Sequence, residues 1–155
     1  MKARNLTEPT IKYEYKAPSS YVGVFFLLLA GWTIASAILL SGRELRAEIG
    51  EIGQWLMILF VVAYTWYFSF GISYKVSLDH EGTVVLTSFR RTIKTKAERI
   101  EMIEAPHFFF GFVRFRLERE KAYLFAIPSN ENLRRVLMTI RRINPDLKAK
   151  GAVPR

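Results

Sequence analysis

The sequence contains no cysteine. That excludes a disulfide framework, a thiolate-held metal and a thiol nucleophile, and it fits a reducing compartment. Charge is missing from two long stretches, residues 17–42 and 52–74, and neither holds a histidine. Without ionisable side chains they cannot supply a proton path, an ion path or an axial metal ligand. Histidine is scarce throughout. His80 and His107 stand far apart in the sequence, with no carboxylate pair at ligand spacing near either. His80 reads as an exposed turn residue and His107, beside an aromatic cluster, as a structural one. The nine glycines are dispersed and form no phosphate-cradling loop. No set of groups suited to nucleophilic or acid–base chemistry converges. The sequence therefore reads as that of a non-enzyme, with no cofactor and no metal site.

What fills the two uncharged stretches is apolar side chain. Each is long enough to cross a hydrocarbon core of roughly 30 Å as a helix. The residues between them, 43–51, are too few for anything beyond a tight turn outside lipid. A transmembrane hairpin over residues 21–74 is expected, with spans at about 21–41 and 54–72. Ala35-Ser36-Ala37 has the small-x-small form of a signal-peptide cleavage site. Glu8 and Glu14 precede the apolar run, however, and Ile38-Leu39-Leu40 continues it, so the first stretch reads as an uncleaved span.

The net charge is +9, and its distribution orients the hairpin. Both flanks are basic, whereas the loop carries Arg43 and Arg46 against Glu44, Glu48 and Glu51. Positive flanks are retained on the cytoplasmic side, which puts both termini inside. Exposed Lys and Arg on the following domain would draw it to an anionic leaflet, each by on the order of 1 kcal/mol. The same charge could suit nucleic acid. The aromatics, though, lie in the spans or alternate inward with strand period, so no nucleic-acid partner is assigned.

Gly23, Ala30, Gly31, Ser36 and Ala37 in the first span permit close helix approach. The second is rich in aromatics, crowded toward its inner half from Tyr64 onward as an interfacial belt would be. Trp55, Trp66, Tyr67 and Phe70 are the candidates for intramembrane contact.

Outside the spans the period changes. Residues 1–20 form a cytoplasmic leader in which Ile11, Tyr13 and Tyr15 alternate with Lys12, Glu14 and Lys16. It is expected to lie disordered on the membrane surface, in preference to forming a short strand. Residues 75–145 read as a small antiparallel β domain. Val76 and Leu78 lead into a turn at His80-Glu81-Gly82. A run through Val84, Leu86 and Phe89 reverses at Arg90-Arg91, and Thr92-Ile93-Lys94-Thr95-Lys96 alternates again. Further strands are expected before Pro106, over Val113, Phe115 and Leu117, and over residues 123–127. Glu98, Glu101 and Glu104 are expected as solvated partners for Lys and Arg. Ser129 or Asn130 caps a helix whose Leu133, Val136, Leu137, Ile140 and Ile143 share one face, ended by Asn144-Pro145. Residues 146–155 read as a flexible tail.

About six antiparallel strands and one terminal amphipathic helix resemble the bacterial pleckstrin-homology-like domains. Three features carry the likeness: Tyr74-Lys75-Val76 leaving a span, the basic Arg90-Arg91 turn, and Phe110-Gly111-Phe112 before a long strand. The fold class expected is thus membrane α+β, a two-helix hairpin followed by a PH-like domain with a C-terminal amphipathic helix. The resemblance implies a multi-pass protein of the bacterial inner (cytoplasmic) membrane. The layout is also similar to membrane assembly factors for photosynthetic complexes. Phosphoinositide-binding members of the wider fold carry basic residues around the first strand-to-strand loop. Here that loop reads as the acidic His80-Glu81-Gly82, which argues against specific inositol-phosphate recognition.

Two functions follow from the residues. The first is an accessory or assembly subunit of a larger integral membrane complex, with the basic domain bracing partners. The second is a membrane-surface module for anionic phospholipid or another ligand, using Arg90, Arg91, Lys94 and Lys96. Replacing those four with Glu is expected to weaken contact with anionic vesicles or an acidic partner while leaving insertion intact. Vesicle co-flotation of the released domain face and alkaline extraction of the full chain would read the two effects separately.

Overall fold

The computed structural model describes residues 11–41, 43–108, 110–118 and 120–151. The chain divides into two compact units, Pro18–Phe70 and the remainder on either side of it in sequence.

The first unit is a pair of helices. Helix α1 (Ser19–Leu40) is followed in the chain by helix α2 (Arg43–Ser69), and α2 is broken at Gly50, whose φ of +75° is open to glycine at little cost. Two stretches, Ser19–Leu40 and Gly50–Ser69, are long and apolar enough to cross a membrane. The helices are held together by polar contacts as well as packing. Gln54, 1 % exposed, donates from Nε2 to the carbonyl of Leu40, and Trp66 donates from Nε1 to Thr33 Oγ1 at 3.0 Å. Phe26 of α1 stacks on Trp66 and Phe70. Gly23 and Gly31 do not serve this contact: a side chain at either would meet nothing within 4 Å. The α1 face toward α2 is instead built around Phe26 and Thr33, one helical repeat of seven apart.

The second unit is an eight-stranded sheet with one helix. Its strands are β1 (Ile11–Lys16), β2 (Ser73–Asp79), β3 (Thr83–Ser88), β4 (Thr92–Lys96), β5 (Ile100–Ala105), β6 (Gly111–Leu117), β7 (Lys121–Ala126) and β8 (Lys148–Gly151); helix α3 spans Glu131–Ile143. Strands β1 to β4 form one antiparallel set and β5 to β7 another. The two sets touch through a single parallel pair, Ser73 with Leu124. Strand β8 adds in parallel to β5.

Two expectations are corrected here. The leader is a strand over Ile11–Lys16: Tyr15 pairs with Val76 and Lys16 with Lys75. Its alternation is therefore a sheet pattern rather than a feature of surface-lying chain. Tyr15 is 1 % exposed, and its hydroxyl accepts from the Ile127 amide at 3.2 Å. The hairpin is thus inserted between two paired strands, and His80-Glu81-Gly82 is the second strand connection rather than the first. The tail is also more ordered than its polarity suggests. Residues 148–151 pair with β5, and Gly151 takes φ +83° at a place where an added Cβ would fall 2.0 Å from the Ala105 carbonyl oxygen. Residues 152–155 lie outside the described residues.

The remaining elements follow from local chemistry. Asp79 Oδ1 accepts from the amides of Glu81 and Thr83, and Gly82 takes a φ of +76°, which closes the β2–β3 turn. Asn130 caps α3 by accepting from the amides of Asn132 and Leu133. At the other end, Asn144 donates to the carbonyls of Ala97, Glu98 and Ile100, tying α3 to the 3₁₀ turn before β5. Leu133, Val136, Leu137 and Ile140 bury the apolar face of α3 in a core that includes Val76, Leu78, Val84, Leu86, Val113, Phe115 and Leu124. Each such side chain contributes about 1.5–3 kcal/mol relative to exposure.

Tyr15 gives the strand assignment a direct test. Tyr15→Phe removes the acceptor for the Ile127 amide and is expected to cost about 1 kcal/mol, whereas Tyr15→Ala should cost about 3–5 kcal/mol. Thermal melts of the full chain in mild detergent, followed by circular dichroism, would measure both. Equal stability of all three chains would contradict a packed β1.

Candidate functional site: a basic sheet face and an aromatic helix face

Because successive strand residues alternate faces, the register of β1 to β4 decides which cations meet. Lys16 lies opposite Lys75, Lys75 opposite Thr87, and Thr87 opposite Thr92. In the next row Glu14, Ser77, Val85 and Lys94 are aligned; Thr83 and Lys96 follow. The outer face of this set therefore gathers Lys16, Lys75, Lys94 and Lys96, with Glu14 bridging to Lys75 at 3.0 Å. Asp79 is engaged in its turn.

This differs from the patch expected from sequence. Lys94 and Lys96 are exposed on one face of β4, but Arg90 and Arg91 lie in the β3–β4 turn. Arg91 is ion-paired with Glu120 at 2.5 Å, and its Nε is buried with no hydrogen-bond partner. Lys16, which joins the face only because β1 pairs with β2, was not singled out from sequence. Its alternation with Tyr15 was the signal. Beside β4, a cleft of about 300 Å³ is lined by Lys94, Thr95 and Arg99 on one side and by Leu117, Glu118 and Glu120 on the other. Its charge is mixed.

The outer face of β5 and β6 is neutralised by comparison. Arg114 pairs with Glu104, and Arg116 with Glu101 at 3.1 Å. The hydrogen bond that Arg114 donates to the Glu104 carboxylate raises the pKa of its guanidinium above the ordinary value. Glu101 and Glu104 are thus the carboxylate partners expected of them. Both histidines are exposed in turns, so His107 is not the packed residue its aromatic neighbours suggested. Among the described residues no three His, Asp or Glu side chains converge in a group that could hold a metal ion.

In the helical unit the four expected contact residues divide. Trp66 and Phe70 are used within the hairpin, against Thr33 and Phe26. Trp55 and Tyr67 are exposed. A further exposed stripe lies outside those four: Phe60, Tyr64 and Phe68, four residues apart, follow one another along α2 with ring centroids 5.6 and 4.4 Å apart. Four-residue spacing aligns side chains on one helix face, and that spacing was legible in the sequence.

Thr33→Val is expected to leave the Trp66 indole N–H unpartnered and to weaken helix–helix association by about 0.6–1.7 kcal/mol. A fluorescence shift of the indole together with lower thermal stability of the hairpin in detergent would register the loss; an unchanged spectrum and melt would count against the contact. Compared with known proteins, the chain matches no family model, no curated protein sequence and no solved structure.

Proposed function

We propose that this chain is a non-catalytic accessory or assembly subunit of a larger membrane complex. Its hairpin packs against partner helices in the bilayer, and its pleckstrin-homology-like domain braces partners at the cytoplasmic face. The observation that carries the reading is the outward surface of the hairpin. Leu27, Leu28, Trp32, Leu39, Phe60, Tyr64 and Phe68 are all more than half exposed. An apolar surface this continuous is far larger than a water-soluble monomer leaves open, and lipid or other helices would cover it.

The PH-like assignment is supported by topology: two antiparallel meanders, β1–β4 and β5–β7, followed by a helix that fills the core. A common face for both termini is supported by pairing. Strands β1 and β2 share hydrogen bonds, so the chain must return to the side it left if the insertion crosses a membrane. The basic flanks then favour the inner side.

The four-lysine sheet face favours a second reading, an anionic-lipid module. Salt distinguishes the two, since attraction through exposed lysines is screened and a packed intramembrane interface is not. Gentle detergent extraction from native membranes, followed by sizing at low and high salt, is expected to recover a stoichiometric partner in both. The triple variant Phe60→Leu, Tyr64→Leu, Phe68→Leu should lose that partner while keeping its own fold. Recovery of the wild-type chain alone, carrying only anionic lipid, would replace the subunit reading with the lipid module.

A further inference from the structure

We propose that the open edge of β4 is a docking site for an acidic, extended segment of a partner protein, which adds to the sheet as a further strand. Its carboxylates face Lys94 and Lys96, and the small apolar side chains between them enter the cleft beside β4. Only the sheet unit takes part, whatever surrounds the hairpin.

Strand β4 ends the sheet, paired with β3 alone. Antiparallel strands exchange hydrogen bonds at every second pair, so alternate residues of an edge strand turn their N–H and C=O groups outward. The phase is fixed at both ends of this pair. Ser88 donates its amide to the Arg91 carbonyl at 2.9 Å, and Ala97 donates to the Gly82 carbonyl at 2.8 Å. The register between those points is unbroken, so Ile93 and Thr95 bond to β3. Thr92, Lys94 and Lys96 face the open edge. Among the described residues, the Thr95 hydroxyl, 3.5 Å from the Lys96 carbonyl, is the single hydrogen-bond partner of these outward groups.

The side chains identify the occupant. Lys94 and Lys96 are exposed on the outer face, and Arg99 is exposed in the 3₁₀ turn that follows. Among the described residues none of the three is in an ion pair. Lysine on an edge strand bars a second copy of the same edge, because like charges would stand opposite one another. The same groups favour an acidic strand. Proline and bulges, which also close edges, are missing from β4. The inward side of the strand accommodates the alternate side chains. Ile93 and Thr95 are half-buried and line the cleft of about 300 Å³, with Leu117 in its opposite wall. Of the carboxylates in that wall Glu120 is taken up by Arg91, which leaves Glu118 against Lys94 and Arg99. Strand β8 is another edge, but its four residues are all exposed and offer an added strand no half-buried neighbour. Carboxylates at every second position, with small apolar residues between them, match both sides of β4.

An alternating Glu-Val heptapeptide with glutamate at both ends is the probe, added to the full chain in mild detergent and followed by titration and amide hydrogen exchange. It is expected to slow exchange at Thr92, Lys94 and Lys96 several-fold, while Ile93 and Thr95, already bonded to β3, stay unchanged. N-methylation of the glutamate amides, which would face β4, should abolish both binding and protection although every charge remains. The double variant Lys94→Gln, Lys96→Gln should weaken binding about tenfold, and Lys16→Gln, on β1 of the same face, should leave it unchanged. A methylated peptide that binds equally well, or an equal loss with Lys16→Gln, would overturn the proposal in favour of charge alone, which an anionic lipid surface would also satisfy. A Lys-Val peptide that protects the same amides would overturn it too, as would a Glu-Val peptide that leaves their exchange unaltered. Protection that rises with chain concentration in the absence of peptide would assign the edge to a second copy instead.

Discussion

The pairing of β1 with β2 is the constraint on which the rest of the architecture depends. The two strands are separated in sequence by the whole helical hairpin, yet the Ala17 amide donates to the Tyr74 carbonyl at 2.7 Å and closes its base. Antiparallel strands bring their ends side by side, so an insertion between them must leave and return at one place. Two antiparallel helices satisfy that condition; one helix would not. The leader is thereby the first strand of the sheet unit, and the helical pair is an insertion between two of its paired strands. Loss of β1 would expose the edge of β2 and uncover the core face against which α3 packs.

The distribution of apolar side chains follows the same division. In the sheet unit they turn inward, where Val76, Val84, Phe115 and Val136 are closed from solvent. In the helical unit they turn outward, and the contact between helices is made partly by polar groups, Gln54 with Leu40 and Trp66 with Thr33. On the proposed reading of the hairpin as membrane-spanning, such an inversion is what lipid would impose. Apolar surface gains little by clustering there, whereas hydrogen bonds and stacked rings fix helix geometry. Charge is partitioned as well. The β5–β6 face matches Arg114 and Arg116 with Glu104 and Glu101, and the β1–β4 face leaves lysines in excess.

Much of this was legible beforehand because it rests on period and composition. The two helices, the strands from Ser73 to Ala126 and the amphipathic α3 with its Asn130 cap follow from uncharged length, alternation and capping chemistry. The misreadings share a cause. The residues of β1 and β8 are polar on at least one side and short, so their strand character depends on a partner distant in sequence: Val76 for Tyr15, and Met102 for Lys148. Phe89 looked like a continuation of β3 because a hydrophobic pattern does not say where a hairpin turns. The hydrogen bonds of Ser88 decide that.

What the sequence by itself determined is which segments avoid water and which alternate, since both are properties of neighbouring residues. Uncharged stretches of twenty or more residues and period-two runs carry their own energetic preference. The tertiary structure decided which distant segments share a face. It added Lys16 to Lys75, Lys94 and Lys96, coupled Arg91 to Glu120, and set Phe89 beside Tyr74. Those juxtapositions come from strand register, which fixes neighbours across tens of residues and leaves no mark in local pattern.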